Sequence, residues 1–364
     1  MVKVLNALQA PSVYDASEKM IMKQRLFWNC AVLLGAVGAS VLTPHPAAAQ
    51  TFNLPTANRA LFEKDGEARF FAPTVGKPWT SGQFGCVRSD GWQMHEGLDI
   101  LATRRDRNGE PTDPVMATAA GRVAYINRVS GLSNYGNYVV LRHDIDGLEI
   151  YSLYAHLREI TAGLKVGDAV QAGQTIGILG RTTNTRSRIG KDRAHVHFEI
   201  NLLINDRFPA WFKKHHPGER NDHGLWNGRN MLGLDPRSLL LAQRTQGNTF
   251  SLRQFIQARR PLCRVLVAKT GFSYVERYKA LVTPQTLPGG QPPAGYELVL
   301  DFNGVPIQAI PRTAADLKGT TRYRLLWVDA AEYERNHCRK LVARSGSAWQ
   351  LTTTGQSLLE LLIY

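Results

Sequence analysis

A short stretch near the middle of the chain, His195-Val196-His197-Phe198-Glu199, strongly limits how this part of the protein can fold. Side chains alternate between the two faces of a β-strand, so a strand here would direct both imidazoles to one face and Val196 and Phe198 to the other. Imidazoles that share one face of a strand are suited to binding a metal ion. The stretch therefore predicts a strand with a polar site on one face and apolar packing on the other.

A second group of potential ligands comes earlier, in Met94-His95-Glu96-Gly97-Leu98-Asp99. On a straight strand the imidazole and the carboxylate would lie about 13 Å apart, at about 3.3 Å per residue, so they could not share one ion. Gly97 and the β-branched Ile100 weaken a helix, and we predict instead a strand that ends and folds back at Glu96-Gly97. Taken alone, this spacing also fits a surface pair that binds no metal. Together, the two stretches supply the ligand types of a catalytic zinc site.

Further motifs follow between about residues 78 and 201. In chain order they are Pro114-Val115-Met116-Ala117 with Gly121-Arg122-Val123, Tyr135 to Leu141, Tyr154-Ala155-His156-Leu157, Val166-Gly167-Asp168 and Gly173 to Gly177. With the two histidine stretches, this ordered set resembles the lysostaphin-like zinc metallopeptidases, which cut peptide bonds in bacterial peptidoglycan. The resemblance covers roughly a third of the 364 residues.

The resemblance implies that His95, Asp99 and His197 hold one zinc ion per chain, while His156 and His195 flank the bound water. Two imidazoles, one carboxylate and an open fourth position are typical of a catalytic zinc, which lowers the pKa of its water towards about 7. The two other imidazoles would take up a proton or stabilise an oxyanion. The implied function is a zinc-dependent endopeptidase that hydrolyses the peptide cross-links of peptidoglycan with a zinc-activated water.

Two other functions are weighed against this one. The first is a non-catalytic scaffold of the same fold that activates another cell-wall hydrolase; the complete set of ligands argues against it. The second is a cell-wall binding module in which the histidines are incidental. Measuring the zinc content of the purified protein separates this last possibility from the others.

The first 49 residues predict an export signal. Lys23 and Arg25 precede an apolar run, and Ala47-Ala48-Ala49 forms a cleavage site before Gln50. Glycines interrupt the run, which is shorter than the about 20 residues of a transmembrane helix. We therefore expect an exported protein, periplasmic or extracellular, without a stable membrane span after cleavage. Three methionines are candidate translation starts: Met1, Met20 and Met22.

The chain is strongly basic, with a formal net charge of +14. Such a charge favours anionic partners. The sequence contains no recognisable nucleic-acid-binding fold, and an exported protein does not meet nucleic acid inside the cell, so nucleic acid is not an expected partner. The expected partner is the anionic cell wall, through the peptide stems of peptidoglycan.

Two polar loops depart from the family's usual pattern. Arg181 to Ala194 is longer than usual and contains five basic residues against one acid, which makes it either a contact for substrate carboxylates or a solvated loop. Arg104 to Asp113 is similarly polar. The histidines of residues 207–235 lack the spacing of a second metal site, and we interpret this stretch as a basic linker.

The predicted fold is mainly β, with an antiparallel β-sheet peptidase domain that carries an open groove and a smaller α+β C-terminal unit. Turn signals support it: Asp146-Gly147 and Asn303-Gly304 predict hairpins, and Pro306 predicts an edge strand. The predicted segments are a signal peptide (1–49), an irregular lead (50–77), the zinc metallopeptidase domain (78–206), a linker with a short helix (207–250) and the C-terminal unit (251–364). This last unit is a candidate site for a regulatory protein partner.

Helices are expected mainly after the peptidase domain. Pro236 should open one that runs through Ala242, and Asp329 should cap another that begins at Ala330 and runs to about Val342. Three cysteines remain after the signal: Cys86, Cys263 and Cys338. An oxidising compartment allows one intrachain disulfide, and we favour Cys263 with Cys338 because both lie in the C-terminal region.

Overall fold

The computed structural model describes residues 52–186 and 188–364. The predicted signal peptide lies outside these ranges. The described residues all belong to one compact unit. Among them, no helix is both long enough and apolar enough to cross a bilayer.

Antiparallel strands dominate the described part of the chain, and the prediction of a mainly β fold is confirmed. The strands are β1 (Gly85–Arg88), β2 (Gln93–His95), β3 (Leu98–Leu101), β4 (Pro114–Met116), β5 (Gly121–Asn127), β6 (Tyr138–Ile145), β7 (Leu148–Ala155), β8 (Glu159–Ile160), β9 (Ala169–Val170), β10 (Thr175–Ile178), β11 (His195–Leu203), β12 (Met231–Leu234), β13 (Cys263–Val267), β14 (Gly295–Leu300), β15 (Pro306–Arg312), β16 (Tyr323–Val328), β17 (Val342–Ser345) and β18 (Ala348–Leu351). The α-helices are α1 (Glu67–Phe70), α2 (Phe208–His215), α3 (Pro236–Gln246), α4 (Leu252–Gln257), α5 (Ser273–Arg277), α6 (Ala330–Arg335) and α7 (Thr353–Leu362).

The central sheet has the order β12-β11-β7-β6-β5-β9, and β3 also pairs with β11. Every residue of β11 is buried, which fits a strand that is covered on both faces. The predicted hairpin joins β6 to β7, and both turn residues, Asp146 and Gly147, have positive φ angles of 56° and 71°. These angles match the turn type that suits a two-residue hairpin.

The chain folds back at Glu96-Gly97, as predicted. β2 ends at His95 and pairs with β1, whereas β3 begins at Leu98 and pairs with β11. A Cβ atom at Gly97 would lie 2.4 Å from the carbonyl oxygen of Phe198. Only glycine allows the backbone to pass this close to β11, so this residue fixes where the chain turns.

A second sheet, in the C-terminal part of the chain, has the order β15-β14-β13-β16. The hairpin at Asn303-Gly304 joins β14 to β15, and Pro306 lies on an edge strand; both predictions are confirmed. Asp329 caps α6 by accepting a hydrogen bond from the backbone of Glu332. The predicted length of this helix is wrong, because α6 ends at Arg335 and a strand begins at Val342.

Buried hydrogen bonds connect α7 and the residue after α5 to the end of β11 and the residues just after it. The Tyr278 hydroxyl accepts from the backbone of Leu203 at 2.8 Å, and the Asn205 side-chain amide donates to the carbonyl of Leu361 at 2.7 Å. Helix α2, within the stretch interpreted as a linker, buries Phe208. The two sheets therefore share one continuous hydrophobic core.

The disulfide joins Cys86 to Cys338, with 5.4 Å between their Cα atoms, so the predicted Cys263–Cys338 pair is wrong. Cys263 is a free, buried thiol at the start of β13, where it faces Leu300 and Val328 on the neighbouring strands. Closeness in sequence misled the prediction. Cys338 follows α6 in a segment that reaches back to β1, and only the packing of the C-terminal part against the central sheet brings these two cysteines together.

Peptide mapping of the mature protein should therefore recover a fragment in which Cys86 is joined to Cys338. When the protein is unfolded without reduction, an alkylating reagent should modify Cys263 alone. Replacing either bridged cysteine by alanine should lower the free energy of unfolding by about 2–5 kcal/mol, because the unfolded chain is no longer cross-linked. The double variant should cost no more than either single one. Additive losses in thermal unfolding, or alkylation at Cys86, would contradict this pairing.

Candidate metal centre

The structure brings together the three residues that the sequence assigns to a metal. The Nε2 atom of His95, the Oδ1 atom of Asp99 and the Nδ1 atom of His197 lie 3.0–3.1 Å from one another. All three residues are at most 6% exposed. Among the residues that the structure describes, this is the group of three potential metal ligands (His, Cys, Asp or Glu) whose ligand atoms lie close enough together to share one metal ion.

The geometry of this cluster fits zinc. Zinc binds imidazole nitrogen and carboxylate oxygen at about 2.0–2.1 Å in a tetrahedral arrangement, which places ligand atoms about 3.3–3.4 Å apart. The observed separations of 3.0–3.1 Å are slightly shorter, so a small outward movement of the side chains would suffice. Two nitrogens and one oxygen also leave a fourth position for water or substrate, as in catalytic zinc sites.

Strand pairing explains how distant residues meet here. His197 lies opposite Asp99 on β3 and opposite Ala155 on β7. Directly opposed residues on antiparallel strands share one face of the sheet. On the other face Val196 and Phe198 are fully buried, so the predicted alternation along this strand is confirmed.

Acceptors outside the cluster orient two of the imidazoles. The Nδ1 atom of His95 lies 2.7 Å from the carbonyl oxygen of Gln83, which can only accept, so this nitrogen carries a proton and Nε2 faces the centre. The Nε2 atom of His197 lies 2.8 Å from Oε1 of Glu199, which leaves Nδ1 directed at Asp99. Such contacts fix the ring orientation and the tautomer of metal-binding histidines.

Glu199 is a functional residue that the sequence reasoning missed. Its carboxylate is 1% exposed and accepts hydrogen bonds from the Tyr135 hydroxyl at 2.9 Å and from the Asn201 side-chain amide at 2.8 Å. These donors compensate a buried charge that would otherwise be costly. The signal was present, because alternation along the strand places Glu199 on the same face as His197.

His156 and His195 lie beside the cluster as a pair, with ring centroids 5.0 Å apart. Their Nδ1 atoms lie 2.9 Å and 2.6 Å from the carbonyl oxygens of Thr182 and Arg193, so each Nδ1 carries a proton and each Nε2 has a lone pair. Nε2 of His195 is 3.5 Å from Oδ1 of Asp99. Both rings therefore border the centre without belonging to the group of three.

Burial decides the protonation state of this pair. Burial lowers the pKa of His156 to about 3, and the neighbouring His195 and His197 act in the same direction. Burial also lowers the pKa of His195, although the Asp99 carboxylate opposes this effect. Both imidazoles are consequently neutral near pH 7, and each keeps a lone pair on Nε2.

The charges within the cluster are coupled. Burial alone would raise the pKa of Asp99, but His95 and His195 hold it well below its usual range. Burial would lower the pKa of His197, yet the hydrogen bonds to Asp99 and Glu199 outweigh it and raise the pKa to about 10. Without a metal, the proton on Nδ1 of His197 is therefore shared with Asp99, and a bound metal would take its place.

The cluster opens into a groove of about 770 Å³. Two polar loops predicted from the sequence meet near it, because Arg181 donates to both carboxylate oxygens of Glu110 at 2.8 Å and 2.9 Å. This guanidinium is engaged by the protein itself, whereas Arg193 lines the groove and donates one hydrogen bond to the carbonyl of Pro73 at 3.3 Å. Other lining residues come from two further segments of the chain: Ser133, Asn134, Tyr135, Arg220, Asp222, His223 and Arg229.

Comparisons with known proteins show the family of this chain. Residues 93–207 match the model of peptidase family M23 and include all five predicted site residues. The chain is 35% identical over 95 residues to lipoprotein NlpD of Yersinia enterocolitica, a match that covers 26% of this chain and 84% of that protein. It is 33% identical over 106 residues to the murein hydrolase activator NlpD of Escherichia coli and 30% identical over 109 residues to the L-Ala–D-Glu endopeptidase of Bacillus subtilis.

The last two matches cover 29% and 30% of this chain but only 22% and 29% of those proteins. Among solved structures, the catalytic domain of lysostaphin from Staphylococcus simulans aligns with 27% identity and a TM-score of 0.23, over 36% of this chain and 74% of that domain. A TM-score this low does not by itself establish a shared fold.

The role of Glu199 can be tested by Glu199→Gln, which keeps the size of the side chain and removes its charge. His197 would lose the carboxylate that orients it, so zinc affinity should fall about 10–100-fold in a chelator-competition titration. Glu159→Gln removes the same charge from an exposed side chain and should leave the affinity unchanged. An equal effect of the two substitutions would contradict the orienting role.

Proposed function

This chain belongs to peptidase family M23, and we propose on that basis that it is an exported, zinc-dependent endopeptidase that hydrolyses peptide cross-links in bacterial peptidoglycan. One observation carries the proposal: His95, Asp99 and His197 converge at a groove, with two neutral imidazoles beside them. Family membership suggests a cell-wall hydrolase or an activator of one. The intact set of ligands favours the hydrolase.

The proposed ligand atoms are Nε2 of His95, Oδ1 of Asp99 and Nδ1 of His197. A zinc ion held there would polarise the scissile carbonyl as a Lewis acid and lower the pKa of the attacking water. The strands keep these three atoms in place before substrate binds, so little reorganisation is needed during the reaction.

His156 and His195 would move the protons. The Nε2 lone pair of either ring accepts a proton from the attacking water, and the resulting imidazolium donates it to the nitrogen of the leaving amine. A protonated ring also stabilises the negative charge that develops on the carbonyl oxygen. The carbonyls of Thr182 and Arg193 hold both rings in the required tautomer.

The groove suits an anionic peptide. Arg193, two residues before His195 in the chain, is one of the residues that line it. Peptide stems carry free carboxylates, which guanidinium groups bind with two parallel hydrogen bonds. The strongly basic chain would also increase the local concentration of such a polymer.

A scaffold that activates another hydrolase is the second candidate. The observation that favours it is the similarity to NlpD of Escherichia coli, which is described as a murein hydrolase activator. The C-terminal sheet would then provide the docking surface, since Leu326 and Trp327 on the edge strand β16 are both 43% exposed. A scaffold has no need of zinc, so the two candidates differ in metal dependence.

Incubation with purified peptidoglycan separates them. We expect the protein alone to release peptide fragments, detected by mass spectrometry, with activity lost on chelation and restored by zinc. Release only when a second hydrolase is added, whether or not chelator is present, would support the scaffold.

Alanine variants separate metal ligands from proton-transfer groups. His95→Ala, Asp99→Ala and His197→Ala should lose zinc and activity together. His156→Ala and His195→Ala should retain zinc, while turnover falls roughly a hundredfold or more. His215→Ala, outside the groove, serves as the histidine control. Loss of zinc from His195→Ala but not from His197→Ala would reverse the roles proposed for the two histidines of β11.

Export can be checked at the N-terminus. We propose cleavage after Ala49, so sequencing of the functional protein should begin at Gln50 or Thr51, in a fraction outside the cytoplasm. An intact terminus at Met20 or Met22 on the functional protein would refute cleavage.

A further inference from the structure

Arg88, at the end of β1, reaches one atom of the proposed metal site, Nε2 of His95, and the second oxygen of the Asp99 carboxylate, Oδ2. Its Nη2 atom lies 3.1 Å from Nε2 of His95 and donates to Oδ2 of Asp99. We propose that Arg88 is a built-in competitor of the metal: its guanidinium holds the site in the metal-free protein and must swing out before a metal ion binds. This inference rests on the proposed function, because it concerns the same site.

The contact with His95 excludes simultaneous metal binding. A guanidinium can only donate, so the hydrogen bond requires a lone pair on Nε2. That lone pair is available because Nδ1 of His95 carries the proton donated to the carbonyl of Gln83. The same lone pair would have to bind the metal, so it serves either the guanidinium or the ion.

Charge acts in the same direction. In the absence of a metal, the buried Asp99 carboxylate needs a cationic partner, and Arg88 supplies one. A divalent cation in the same place would repel the guanidinium, and solvent would screen this repulsion poorly because the Asp99 side chain is only 5% exposed. Two cations would therefore lie against one carboxylate, Arg88 at Oδ2 and the ion at Oδ1.

The side chain of Arg88 is able to leave. It is 21% exposed and lines the groove, so a rotation about its own bonds would carry the guanidinium into open space. In its present position the Nε–H group is buried without an acceptor among the described residues. An unpaired buried donor costs free energy, so occupation of the site by Arg88 is incompletely compensated and reversible.

The backbone of Arg88, in contrast, is held in place. Cys86, two residues earlier, is bridged to Cys338 and pairs with Met94 on β2. The turn that follows contains Ser89 and Asp90, both with positive φ angles. When a metal ion replaces Arg88, only the side chain should consequently move. The backbone of Arg88 should stay where it is, because the C-terminal part of the chain helps to hold it.

The test is the zinc affinity of the full mature protein, measured by competition with a chromophoric chelator and Zn²⁺ alone. A competitor that occupies the site about nine-tenths of the time weakens apparent affinity about tenfold. Arg88→Ala and Arg88→Gln should therefore bind zinc about tenfold tighter than the unmodified protein, or more. Arg220→Ala removes the same charge from an exposed side chain that also lines the groove, and its affinity should be unchanged.

Three results would overturn the inference alone: unchanged or weaker zinc binding in the Arg88 variants, an equal gain in Arg220→Ala, or failure of both Arg88 variants to fold, as judged by thermal unfolding without metal. Weaker binding would mean that Arg88 supports Asp99 instead of competing with the ion, and an equal gain would mean that only net charge matters. If the unmodified protein and all variants bind no zinc, the proposed function fails as well.

Discussion

The pairing of β11 with β3 and β7 is the constraint on which the rest of the site depends. It places His197 opposite Asp99 although 97 residues separate them in the chain. A slip of one residue would turn the polar face of β11 into the core and the apolar face towards the groove. Burial on both faces and the close approach of Gly97 to Phe198 keep this register in place.

This pairing also concentrates charge in a buried place. Two carboxylates, Asp99 and Glu199, lie next to two cationic groups, His197 and the guanidinium of Arg88. The positive and negative charges balance, which is how a protein accommodates ionised groups away from water. A divalent ion would restore the same balance by replacing the shared proton of His197 and the guanidinium. Loading of the metal and rearrangement of these groups are thus parts of one exchange.

The C-terminal part of the chain contributes to the site through the hairpin of β1 and β2. The disulfide from Cys338 holds Cys86, and the ring of His337 lies 4.2 Å from that of Trp92. The hairpin ends in His95 and carries Arg88, so the packing of the C-terminal sheet affects both. The C-terminal part of the chain, which contains no recognisable motif, thereby helps to position residues of the candidate metal centre.

Local chemistry explains what could be predicted from the sequence. Alternation along β11, the turn at Asp146-Gly147, the fold-back at Gly97 and the edge position of Pro306 each depend on a few adjacent residues. Resemblance to a known family supplied the five proposed site residues. The partner of Cys338, the end of α6 at Arg335, the support that Glu199 gives to His197 and the contact of Arg88 with Asp99 were decided only by the tertiary structure. Each of these depends on the distance between side chains that folding brings together, and a linear pattern does not contain that distance.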